Sequence, residues 1–184
     1  NVHLVGLVGI GACICQVIAA QRPDLARSMF NMGAWCAVDD FLRDQLEMFR
    51  WLHRDLGFEA FQRAVTLLSF TPDYYNANKG RLLGSQGGWK ELRGRYPAHA
   101  RLIDACVGFD STAWLHTLRC PSLIIHSGLD QVKSPRTTRP IEQAQRPMAE
   151  DLRRDLVDGG YWLRRPGPNA QVVVAYTGAI APEA

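Results

Sequence analysis

A chain of 184 residues with 47% hydrophobic and 21% charged side chains carries enough apolar material for a real core, which excludes disorder throughout. Its formal charge of +3 comes from acidic and basic residues interleaved along the whole length, so no stripe follows a phosphate backbone or an anionic bilayer, and neither nucleic acid nor a membrane is expected as a partner. The five cysteines, Cys13, Cys15, Cys36, Cys106 and Cys120, are odd in number and sit among apolar neighbours, which suits small buried hydrophobes in a reducing compartment; a cytoplasmic location without disulfides or a bound metal is expected.

Val2 to Val8 (VHLVGLV) is a β-branched run of the kind that fills a parallel strand buried on both faces. The apolar stretch continues to Ala20, but Gly6, Gly9 and Gly11 interrupt it where a turn would fall and no basic leader precedes it. A strand, a turn and a helix are therefore expected in place of a membrane span or an export signal. Helical spacing runs from Ala12 to Gln21 and stops at Pro23, and Leu25 to Met32 (LARSMFNM) reads as the next strand, completing a βαβ unit with a right-handed crossover.

From Asp39 the period changes. Leu42, Leu46, Phe49 and Leu56 recur at helical intervals behind Asp39 and Asp40, which suit a helix start. Phe58 to Phe70 continues as a second helix, and Pro72, Gly80, Gly84, Gly87 and Gly88 mark a loop-rich interval. Pro97 to Cys106 and Ser111 to Leu118 read as two more short helices. Pro121 to His126 (PSLIIH) returns to strand character and leads into a loop of Ser127, Gly128, Leu129 and Asp130. Beyond Pro140 come a charged helix from Met148 to Val157, a Gly/Pro-rich stretch from Gly159 to Pro168, an apolar strand from Val172 to Tyr176 and a turn at Gly178.

HLVGLVGIGA (His3 to Ala12), with the helix ending QRPD (Gln21 to Asp24), resembles the nucleophile elbow of the α/β-hydrolases, and CPSLIIHSGLD (Cys120 to Asp130) resembles their penultimate strand with the triad acid. The resemblance covers roughly Asn1 to Gln143. It implies an α/β fold: a partial α/β-hydrolase sheet from residues 1–36 and 119–143, a helical lid inserted over 37–118, and a short αβ tail over 144–184. That family's elbow is G-x-S-x-G, in which small neighbours let a serine occupy a strained turn. No serine stands in this turn. Alignment on the helix and its closing proline puts Gly9 at the nucleophile position, alignment on the strand puts Val8 there, and neither can attack a carbonyl.

Cys13 and Cys15 are the nearest thiols, but they fall inside the helix, past the turn that exposes and activates a nucleophile. The resemblance assigns Asp130 to the triad-acid position, where it would orient a histidine; a loop-capping aspartate is an equal reading. No histidine follows His126, and His3, His53, His99 and His116 read as packed or surface residues. In that family part of the oxyanion hole lies on a loop before the elbow strand, and the resemblance, which starts at that strand, leads us to expect no such loop here.

Gln145 to Ala184, through GGYWLR and VVVAYTGAIAPEA, resembles the C-terminal, transketolase-like region of the thiamine-diphosphate-dependent decarboxylating component of pyruvate dehydrogenase, without that family's cofactor-binding motifs. Its helix and strand could stand in for the last helix and strand of the hydrolase sheet. Three functional readings follow. The first is a catalytically impaired protein of ester or acyl hydrolase lineage. The second is a non-catalytic module that binds an apolar small molecule under lid aromatics such as Phe61 and Trp114. The third is a fragment of a 2-oxo acid dehydrogenase component. No cofactor is expected on the first two.

Overall fold

The computed structural model describes residues 2–7, 9–84, 95–127, 130–133, 136–141, 143–144 and the strand at 172–177. The chain divides into a sheet unit, Asn1–Ala37 with Asp110–Gly128 and Lys133–Ala184, and a helical unit, Val38–Phe109 with Leu129–Val132.

In the sheet unit, β1 (Val2–Gly6) turns through Gly9 into α1 (Ile10–Gln21), which returns the chain to β2 (Ala26–Met32). β2 lies parallel to β1, with His3 opposite Ser28 and Gly6 opposite Asn31. β3 (Ser122–Ser127) lies parallel to β2, with Phe30 opposite Leu123. The order is β1-β2-β3-β4, and β4 (Val172–Thr177) pairs antiparallel with β3, so it does not continue the parallel series as a stand-in for a last hydrolase strand would.

Small residues set the distance between helix and sheet. Ala12, Cys13, Cys15 and Ala19 are buried on α1, and a Cβ on Gly6 would stand 2.5 Å from the Cα of Ala12, so only glycine allows this approach of β1 to α1. The core continues through Met29, Cys36, Leu115, Leu118, Cys120, Ile124 and Ile141. All five cysteines are buried, as their apolar setting predicts, and burial pushes the thiols of Cys15, Cys36 and Cys120 up. β1 departs from expectation: Val2 and Val5 are 53% and 62% exposed rather than buried on both faces. Its described backbone pairs on one side only, with β2, and an edge strand leaves more of its side chains in solvent than a central one.

The helical unit starts as its sequence predicts. The carboxylate of Asp39 accepts the Leu42 N–H at 2.8 Å and caps α2 (Asp40–Trp51), which buries Leu42, Leu46 and Phe49. Leu56, expected on the same stripe, is 66% exposed. The chain widens into a π-helical turn at Leu52–Leu56, ended by Gly57 at φ +93°, and the change of period carries Leu56 outward and His53 inward. α3 (Phe58–Ser69) follows.

Pro72–Gly84, read as loop from its proline and glycines, is a helix, α4. Pro72 occupies the first helical position, where the missing N–H costs nothing, and Gly80 faces open space. Gly87 and Gly88 lie outside the described residues. α5 (Tyr96–Val107) matches expectation, but Ser111–Leu118 holds only a 3-10 turn at Leu115–Thr117.

Residues 130–132 are tied into the helical unit, because Gln131 O accepts from Gln45 Nε2 at 3.1 Å and Gln131 N–H donates to Leu68 O at 3.1 Å. Among the described residues no helix is long and apolar enough to cross a membrane. The expected helix at Met148 to Val157, the Gly/Pro-rich stretch and GGYWLR lie outside the described residues, so the tail is represented by β4 alone.

Candidate functional site

Gly9 forms the strand-to-helix turn. It is buried, with φ +77° and ψ −97°, a left-handed conformation that favours glycine, and its carbonyl accepts from Ala12 N at 2.9 Å and Cys13 N at 3.2 Å to start α1. This is the sharp, strained geometry that presents a nucleophile above a hydrolase sheet. Here the space is filled. A Cβ built on Gly9 would meet Cζ3 of Trp35 at 2.7 Å and Cη2 at 3.0 Å, with the Lys133 stem at 3.8 Å.

Trp35 is held in place from several sides. It is 3% exposed and follows Gly33, whose φ of +65° turns the chain sharply after β2. The Trp35 carbonyl accepts from Gln16 Nε2 at 3.0 Å and faces the Cys13 thiol at 3.7 Å. Ser111 Oγ donates to Gln16 Oε1 at 2.9 Å while Ser111 N–H donates to Cys36 O at 2.7 Å. Thr137 Oγ1 donates to Ala34 O at 3.1 Å. The segment after β2 is thus fixed through three consecutive carbonyls, and the Trp35 ring cannot swing aside cheaply.

The expected site residues fall in different units. Gly9 sits in the sheet unit with Trp35 and Lys133, while Asp130 belongs to the helical unit, where its carboxylate accepts the Val132 N–H at 2.8 Å and caps its own loop. Val8, the alternative nucleophile position, and the side chain of His126 lie outside the described residues. Cys13 is buried with its thiol toward a carbonyl, and the raised thiol of Cys15 stays protonated, so neither is an activated thiolate. His3 is exposed on β1, 2.6 Å from Ser28 Oγ, and His116 is exposed. No group of three or more metal-ligating side chains is present among the described residues.

Two features have no clear signal in the sequence. Trp35 as a filler of the elbow depends on a contact between segments separated by all of α1. The second is a close pair of histidines, His53 and His99, inside the helical unit, with Nδ1 atoms 2.7 Å apart. Both had been expected as unremarkable packed or surface residues.

No family model and no curated protein matches the chain. Solved structures do. It is similar to MGS-M2, an α/β-hydrolase enzyme from a Medee basin deep-sea metagenome library, at TM-score 0.71 and 18% identity over 78% of this chain and 53% of that one. It is similar to the enol-lactonase of Burkholderia xenovorans LB400 at TM-score 0.63 and 19% identity, over 76% and 52%. It is also similar to esterase E22 at TM-score 0.60 and 18% identity, over 80% and 52%. The chain spans about half the length of these structures. Likeness at this identity speaks for the fold alone, and with the parallel β1-β2-β3 sheet and its glycine elbow it establishes that this chain adopts part of an α/β-hydrolase fold.

Proposed function

We propose that this chain belongs to an ester or acyl hydrolase lineage and does not itself hydrolyse esters through a covalent intermediate. The observation that carries the reading is at Gly9. Acyl transfer by this fold needs a side-chain oxygen on the strained turn, with its proton taken by a base. Neither Gly9 nor Val8 has a side chain that can attack a carbonyl, and the direction in which a Gly9 side chain would project is occupied by the Trp35 ring. The lineage half of the reading is supported by the hydrolase, lactonase and esterase among the similar structures. Gly9 would mark the vacated nucleophile position, and Asp130 the position of the triad acid, retained as a loop cap.

Turnover of p-nitrophenyl acetate and butyrate tests this. The wild-type chain is expected to release p-nitrophenol no faster than the buffer blank. Gly9→Ser is expected to remain inactive and to lose about 1–3 kcal/mol of stability, because the new side chain meets a buried ring at a positive φ. Trp35→Ala added to Gly9→Ser removes that contact and relieves the part of the loss that is steric. Wild-type turnover that a serine-directed phosphonate abolishes would refute the reading.

A further inference from the structure

His53 and His99 meet within the helical unit, Nδ1 to Nδ1 at 2.7 Å. His53 lies on the π-helical turn and is 3% exposed. Phe58 and Tyr96 stand edge-on to its ring at 5.2 and 5.5 Å, and Phe61 packs 4.4 Å from the ring of His99. Two imidazole nitrogens this close share one proton, one donating and the other accepting.

The second nitrogens settle which ring donates. Nε2 of His53 is sealed from solvent and has no partner. A buried orphan N–H is rarer in folded proteins than a bare acceptor, so His53 carries its proton on Nδ1 and donates to Nδ1 of His99. The other proton then sits on Nε2 of His99, a residue only half-buried. Neither ring has room for a further proton. On His99 the vacant nitrogen is the acceptor, and protonating it sets N–H against N–H. On His53 the vacant nitrogen is the sealed Nε2, and protonating it buries a cation without an acceptor.

The surrounding charges do not rescue either cation. From α2 comes Arg50, bonded to Glu47 at 3.0 Å and to Asp104 of α5 at 2.5 Å, so both carboxylates are already engaged. From the π-helical turn come Arg54 and Asp55, bonded to each other. α5 adds the Tyr96 phenol, and α3 presents Phe58 and Phe61, with Glu59 and Arg63 paired to each other. Among the described residues no carboxylate bonds to either imidazole.

We propose that this pair is an acid-released clasp: with both rings neutral it fastens the turn after α2 to α5, and a proton taken up by either ring lets the two separate. Burial first, then the second imidazole and the Arg50 guanidinium, hold His99 down to about 4, and burial lowers His53 too. A released histidine takes up its proton near 6.5. The clasp is therefore at full strength above about pH 6.5 and weakens as pH falls from there toward 4, because the open form binds the proton that the closed form refuses.

Hydrogen–deuterium exchange of the full chain, corrected for intrinsic rates, tests the clasp at pH 7 and pH 5. Linkage for one ring predicts an opening constant about twentyfold larger at pH 5 in peptides covering 50–58 and 96–107, with α1 and β2 unchanged. His99→Asn keeps an acceptor near the position of Nδ1 without titrating, so it should leave the protection at pH 7 and remove the share of the pH dependence that His99 carries; His53→Gln added to it leaves no titrating ring and should abolish the dependence. Should these variants fail to fold, 15N imidazole spectra of the wild type decide: His99 titrating near 4, with His53 below the ordinary histidine range, supports the clasp. Equal protection of the wild type at the two pH values, an undiminished dependence in folded His99→Asn, a dependence that survives in the folded double variant, or titration of both rings near 6.5 would overturn it.

Discussion

In the sheet unit Gln16, Ser111 and Thr137 donate to the carbonyls of Trp35, Cys36 and Ala34, whereas in the helical unit His53 and His99 end on each other. Backbone acceptors do not titrate. They hold the segment after β2 against the elbow in the same way at any pH near neutrality, and the ionisable groups buried beside them are thiols pushed up by burial. A pair of imidazoles keeps its shared hydrogen bond only while both remain neutral. The same requirement, that a buried polar atom find a partner, thus gives one unit a pH-independent anchor and the other a joint that acid can undo.

The contrast can be pressed hardest through the aromatic packing around the histidines. Phe49 is buried and packs edge-on to Phe61 at 5.6 Å, so Phe49→Ala should cost about 3–5 kcal/mol. Amide exchange across α2, α3 and α5 should accelerate while α1 and β2 keep their protection. Equal losses in both units would mean that they do not respond separately. Gly6→Ala probes the other side: its Cβ would stand 2.5 Å from the Cα of Ala12, backbone that cannot rotate away, and a loss of about 1–3 kcal/mol by thermal denaturation is expected. A neutral result would contradict the close approach of β1 to α1. The smallest effect is at the cap of α2. Asp39→Ala should cost about 1 kcal/mol, and Asp39→Asn, which can still accept from Leu42 N, only a fraction of that.

What the sequence discloses follows from how local each determinant is. β1, α1, β2 and β3 are legible because a β-branched run, a glycine turn and a helical period are adjacent in the chain, and their bounds fall close to the expected ones. α2 is legible from Asp39 and the Leu42, Leu46, Phe49 stripe, but only to Trp51, since the π-helical turn from Leu52 shifts the phase without an obvious mark in the residues. α4 is hidden because Pro72 and Gly80 are breakers in a helix interior, yet the first stands at the helix start and the second in open space. An apolar run such as Val172 to Tyr176 announces a strand and says nothing of its direction.

The candidate site divides in the same way. Gly9 is legible because glycine at the end of a strand marks a turn with positive φ, and Asp130 because its loop follows a strand. Trp35 against Gly9, and His53 against His99, are contacts made by tertiary packing between separate segments. No local spacing encodes them.

The most direct test of the packed elbow is the intact mass of the full chain after incubation with a reactive alkyl fluorophosphonate, which modifies activated serines irreversibly. The account predicts an unchanged mass, because the elbow carries no side-chain oxygen and Trp35 fills the space where one would stand. One phosphonyl group added stoichiometrically, and blocked by prior denaturation, would contradict it by revealing an activated nucleophile elsewhere in the chain.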